Sequence, residues 1–294
     1  MRGRTGLIAL LGVLALAIGL WELSGRGPVN PALAPAGAAA EEIAAATATV
    51  YVSLRIINAA LSTAQEIEIG ASVGAQASLQ PLKVLEPVDD TVERVADVVF
   101  AVAAGAALAT VGFAPVAALG LCLFGLGCLL RVADDLLPAI DGMRTAAAYA
   151  MRLGAVLGVI LPLGFAGGVA LGDRITAAQW AEAMADLDSV TTEARILVGS
   201  GGDGDIAAPS EVPDEDAASS TWWSPFQSAG EGVSETFGAV GRYRQAAVIL
   251  MSQADTLFRA TLTIIGIFAL RTVVLPALLL WGALSLMRRS AGAG

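Results

Sequence analysis

A chain of 294 residues that is 56% hydrophobic, with a mean hydropathy of +0.71 and its apolar residues gathered into runs, belongs to the membrane class. A formal charge of −10 excludes the basic face that nucleic acid requires. Histidine is absent, which removes the commonest general base and metal ligand, and the two cysteines, Cys122 and Cys128, sit in an apolar run where they read as small buried hydrophobes.

Arg2 and Arg4 precede the apolar run Leu7 to Trp21, so residues 1–22 read as a signal anchor. Small residues at Ala36 to Ala40 lie too far beyond the run to favour cleavage. An outer segment, 23–96, follows. Within it Ser24 to Ala40 reads as an extended Gly/Pro/Ala linker, and Glu41 to Ile67 as a helix with Ile43, Val50, Leu54, Ile57 and Leu61 at helical spacing. Glu66 to Val84 changes period, with Ile67, Ile69, Ala71 and Val73 alternating before Gly74, and predicts a short β-hairpin. At Leu85 to Val99 a helix begins with Asp89, Asp90 and Glu93 in its opening turns. Acids there are more often solvated partners of the helix dipole than metal ligands.

Val98 to Leu130 carries no charge, and the 97–131 segment decides the threading of everything after it. At about 20 residues per crossing it is too long for one upright span and barely enough for two with a turn at Phe113-Ala114-Pro115. Arginine placement separates the two readings, because short cytoplasmic loops collect Arg and Lys. Arg2 and Arg4, then Arg131, Arg144 and Arg152, then Arg288 and Arg289 all fall inside if the run crosses once. The interval from Asp173 to Leu257, with fourteen acidic residues and four arginines, then falls outside. A hairpin would invert all three later placements, so the expectation is one long helix, in the membrane from Pro115 onward and protruding before it. The acidic turn entering this span and the late run FALRTVVLPALLLWGAL resemble multi-pass inner-membrane proteins of Gram-negative bacteria, over roughly 66–130 and 259–289. The resemblance implies location and threading and brings no activity with it.

Residues 132–152 read as the cytoplasmic connection and 153–172 as a further span. Gly154 and Gly158, then Gly164, Gly168 and Gly172, recur four apart, and Ala101, Gly105 and Ala109 repeat the spacing in the central helix. Small residues at that interval let helix backbones approach closely. Residues 173–199 read as an outer helix capped by Thr176, with Trp180, Met184 and Leu187 as its apolar stripe and Gly199 as its end. Residues 200–233 form an acidic low-complexity linker in which Trp222, Trp223 and Phe226 are an interface anchor or a fold-back contact. Residues 234–289 read as a long helix ending in the last span. Arg271 within it is either an intramembrane functional charge or, as the length favours, a side chain that snorkels from the outer surface.

The sequence thus predicts an all-α integral membrane protein with about four transmembrane helices, two of them long and protruding, and a small β-hairpin. Its lipid-facing chain would sit in the bacterial inner membrane with both termini cytoplasmic and the acidic region periplasmic. No nucleophile–base pair, phosphate-cradling glycine loop or metal spacing appears, so no cofactor, metal or catalytic residue is expected. The favoured role is structural, in assembly or docking with itself or with other membrane proteins. The alternative is a subunit of an oligomeric channel or transporter that uses Arg271 and the Asp89, Asp90 and Glu93 group.

Overall fold

The computed structural model describes residues 2–72, 86–136, 142–198 and 252–292. Among them every regular element is helical: α1 (Arg2–Leu23), α2 (Leu33–Ser72), α3 (Glu86–Leu136), α4 (Met143–Ala155), α5 (Leu161–Val198), α6 (Ala254–Ala269) and α7 (Leu275–Gly292). A π-helical turn, Val156–Ile160, joins α4 to α5, and another, Leu270–Val274, joins α6 to α7. Among the described residues five stretches are long and apolar enough to cross a membrane: Gly3–Leu23, Leu33–Ser62, Val88–Leu136, Met143–Arg195 and Ala254–Arg289. That is one more than the sequence count, which takes Ser24 to Ala40 as a linker and Glu41 to Ile67 as an outer helix.

The connection after α1 is a built turn and not an extended linker. Gly25 and Gly27 take positive φ, a conformation that favours glycine. The Glu22 carboxylate accepts hydrogen bonds from the backbone N–H groups of Val29 (3.0 Å) and Asn30 (2.6 Å). Buried Asn30 in turn accepts from the Ala32 N–H through its side-chain oxygen (3.0 Å) and from the Leu33 N–H through its carbonyl. These bonds satisfy orphan donors at a helix start, so α2 begins at Leu33, eight residues before Glu41.

α2 then runs 40 residues to Ser72, which overturns the first strand of the expected hairpin. Four alternating residues weigh little against a helix already nucleated, since each added residue gains a hydrogen bond at the cost of fixing only itself. The remaining hairpin residues, 73–84, lie outside the described residues.

α3 is a single helix of 51 residues with Pro115 inside it, so no turn occurs at 113–115. At about 1.5 Å per residue it is about 75 Å long, well over twice the hydrocarbon thickness. The separate outer helix expected at 173–199 is likewise absorbed into α5. Thr176 lies mid-helix, its hydroxyl donating to the Gly172 carbonyl (2.8 Å), and caps nothing.

The chain divides into two compact units. The first comprises Met1–Tyr51, Asp97–Ala181 and Thr263–Gly294. In it, contacts at glycines fix the direction of each helix. Gly12 of α1 faces Cys128 and Gly125 while Gly19 faces Cys122 and Ala118, so α1 is antiparallel to α3. Gly120 meets Gly158, Phe124 meets Gly154, and the Phe113 and Phe165 rings stand 5.1 Å apart, so α3 is antiparallel to α4–α5. Gly164 meets Leu280, Gly168 meets Pro276 and Gly172 meets Arg271, which sets α5 antiparallel to α7. Ahead of α2, Asn30 donates its amide to the Gly158 carbonyl (2.7 Å), and farther along Tyr51 packs on Phe100 at 5.9 Å. α2 therefore runs in the same direction as α1, and the two form one interrupted column.

The second unit comprises Val52–Ala96 and Glu182–Leu262. Its core is aliphatic, with Leu54, Ile57, Leu61, Val92, Leu187 and Val190 fully or almost fully buried. Gln253, just ahead of α6, donates to the Glu193 carboxylate of α5 at 2.9 Å.

Candidate functional site

The most concentrated chemistry among the described residues of the first unit surrounds Arg271. It stands in the Leu270–Val274 π turn, where the Leu275 N–H reaches back to the Leu270 carbonyl, one residue farther than in an α-helix. The residue is 5% exposed. It does not snorkel: the methylene stem lies over Gly172, and a Cβ at that position would run into the Arg271 Cγ. The guanidinium is held on three sides. Nη1 pairs with the Asp173 carboxylate, Nε donates to the Thr176 hydroxyl (3.0 Å), and the Trp180 ring lies 5.4 Å from Cζ. Trp180 is itself fixed edge-on to Phe268 at 5.4 Å. From α2, the Glu42 carboxyl is hydrogen-bonded to Asp173.

Local sequence explains each position. On α5, residues 172, 173, 176 and 180 succeed one another at intervals of one, three and four, which brings them to one side of the helix. Gly172 removes the side chain that would block the arginine stem, and Asp173 and Thr176 then project toward it. A buried charge of this kind is tolerated when paired and hydrogen-bonded, and both conditions are met here.

The other predicted residues fall as follows. Gly154, Gly158, Gly164, Gly168 and Gly172 all lie at helix contacts, the closest at Gly154, where an added Cβ would strike Phe124 and come within 2.6 Å of the Gly120 carbonyl oxygen. Ala101 and Gly105 are exposed, Ala109 is half-buried, and nothing approaches Gly105 within 4 Å. Asp89, Asp90 and Glu93 belong to the second unit and Arg271 to the first. Trp222, Trp223 and Phe226 lie outside the described residues. Cys122 and Cys128 are free thiols, each packed against a glycine of α1. Among the described residues no group of three or more His, Cys, Asp or Glu is gathered as a metal site would need.

Sequence reasoning named Arg271 but missed Asp173, Thr176, Trp180 and Glu42 as its surroundings. A signal was present. Asp173 is the first charge after the uncharged run 153–172, and Arg271 the last before 272–287. In antiparallel neighbours, those two ends lie at one level. Comparison with protein families, with curated proteins and with solved structures returned no match.

Proposed function

We propose that this chain is an integral inner-membrane protein of bacteria with a structural, assembly or partner-docking role and no catalytic chemistry of its own. It crosses the membrane four times: α1 with the start of α2, then α3, α4–α5 and α6–α7, with both termini cytoplasmic and the acidic 200–233 region periplasmic. The arginines at the ends of the runs support that orientation. The tight seat of Gly12 and Gly19 on α3 supports an α1 that is retained as part of the bundle.

The observation that carries the docking role is the contrast between two sets of small residues. Those of α4–α5 are filled by neighbouring helices, whereas Ala101 and Gly105 on α3 stand open beside Leu108 and Val111, which are 73% and 75% exposed. An open small-residue face is what a second helix uses for close approach in lipid. A homo-oligomer or a complex with another membrane protein is the partner class. Arg271, enclosed and paired, serves as an internal clamp in this reading and not as the lining of an ion path.

Crosslinking in native membranes tests it. A cysteine at Gly105, with Cys122 and Cys128 replaced by alanine, is expected to give a crosslinked species larger than the monomer, and Gly37→Cys in the same background is not. Monomer alone at both positions would remove the docking role.

A further inference from the structure

We propose that the cleft between α4 and α7 binds one anionic glycerophospholipid, its phosphate held by Arg152 and Arg288 and an acyl chain laid along Leu153, Val156 and Leu284. The inference rests on the membrane reading above and adds a ligand to it.

The cleft has a volume of about 440 Å3 and is lined by these five residues together with Tyr149 and neighbouring α4 and α7 atoms. A second cavity of about 340 Å3 shares Tyr149 and Arg152 and adds Arg144 and Thr145. Arg152 thus borders both cavities, with Arg288 lining the first and Arg144 the second. Elsewhere the arginines near acids are paired: Arg131 with Asp134 and Asp135, Arg259 with Asp255, and Arg271 with Asp173. Arg144, Arg152 and Arg288 have no carboxylate partner among the described residues.

The polarity of the cleft is ordered along the helices. Val156, at the start of the π turn, lies one turn beyond Arg152 of α4, and Leu284 one turn before Arg288 on α7. Because the helices that continue from them are antiparallel, both apolar residues lie on the same side of the two arginines, toward the middle of the uncharged runs. A charged mouth over an apolar floor matches a phosphodiester with an attached acyl chain. Basic pockets between membrane helices on the cytoplasmic side recognise such headgroups. A free anion would leave the floor unfilled, and a zwitterionic lipid would bring beside its phosphate a choline cation, which the arginines repel.

Native mass spectrometry of the full chain in mild detergent provides the test, with phosphatidylglycerol and phosphatidylcholine of matched acyl chains as probes. The intact protein is expected to bind phosphatidylglycerol at least tenfold more tightly than phosphatidylcholine. Arg152→Gln with Arg288→Gln should weaken phosphatidylglycerol about tenfold and abolish the preference, while Arg289→Gln, outside the cleft, leaves it intact. Val156→Trp keeps the arginines and fills the floor, and should weaken both lipids. Equal binding of the two lipids by the intact protein, no loss in either cleft variant, or displacement by millimolar inorganic phosphate would overturn the site. If the chain were released from membranes by alkaline carbonate, the membrane reading itself would fail. A chain retained by the membrane but indifferent to lipid charge removes the site alone.

Discussion

Arg271 and Asp173 make an unequal pair, because the arginine side chain is 6% exposed and the carboxylate 32%. Removing either partner strands the other, and the cost follows how far the survivor can reach water. Asp173→Ala leaves a buried, unpaired guanidinium and is expected to destabilise by about 3 kcal/mol. Arg271→Met leaves an acid that can turn toward solvent and should cost only about 1 kcal/mol. The double variant should recover part of the sum, with a coupling of roughly 0.5 to 3 kcal/mol. Reversible unfolding by dodecyl sulfate in mixed micelles measures all three. Asn30 offers a neutral comparison, since its amide bonds the Gly158 carbonyl beside a π turn and its side-chain oxygen caps α2. Asn30→Ala is expected to cost about 1–2 kcal/mol in the same assay. The arginine site was half legible in the sequence. A charge in an apolar run draws notice by itself, but its partner is almost a hundred residues away, and only the antiparallel pairing of α5 with the last helix brings them together. Asn30 gave no signal at all, because a Gly/Pro-rich stretch reads the same whether it is loose or built into a turn.

At the scale of elements, packing between helices depends on whether backbones can touch. In lipid, apolar side chains gain nothing by leaving one hydrocarbon for another, so close contact relies on dispersion and on the absence of intervening atoms. Gly154→Leu must push α4 away from Phe124 and Gly120, and is expected to destabilise the protein by about 3 kcal/mol or to prevent its folding. Gly105→Leu meets no atom within 4 Å and should alter the unfolding midpoint of the monomer little, while blocking any partner that uses that face. Four-residue spacing cannot tell these two apart. It marks which positions permit close approach, and whether a helix arrives there depends on topology. The long elements were legible because uncharged runs and periodic apolar residues persist over many turns. The errors lay at the joints: Ile67 to Val73 alternates over too few residues to outweigh a helix entering from Leu33, and Thr176 resembled a cap only because a charge marked the end of the span before it.

For the whole molecule, the counting of crossings depends on α1 and α2 running in the same direction. Among the described residues five stretches have the length and composition to span, and in the proposed threading two that share a direction across a short turn make one passage between them. In the proposed threading the acidic 200–233 region is periplasmic. Ser210→Cys, with the native cysteines replaced, should react with a membrane-impermeant maleimide in intact spheroplasts, and Ala291→Cys should react only after lysis. The reverse pattern would invert the orientation. Charge placement alone supports the proposed threading, whereas the interruption at 24–32 was not legible, since both a linker and a tight turn satisfy the same arginine rule.

The two π turns have a mechanical consequence. α3 stays α-helical over its 51 residues, its hydrogen-bond ladder opened where Pro115 brings no N–H. The α4–α5 and α6–α7 columns each contain a widened turn, at 156–160 and at 270–274, where a helix can take up one residue of slip. Gly158 and Arg271 stand in those turns, and the side chains bonded to them, Asn30 and Asp173, are the ones such a slip would disturb.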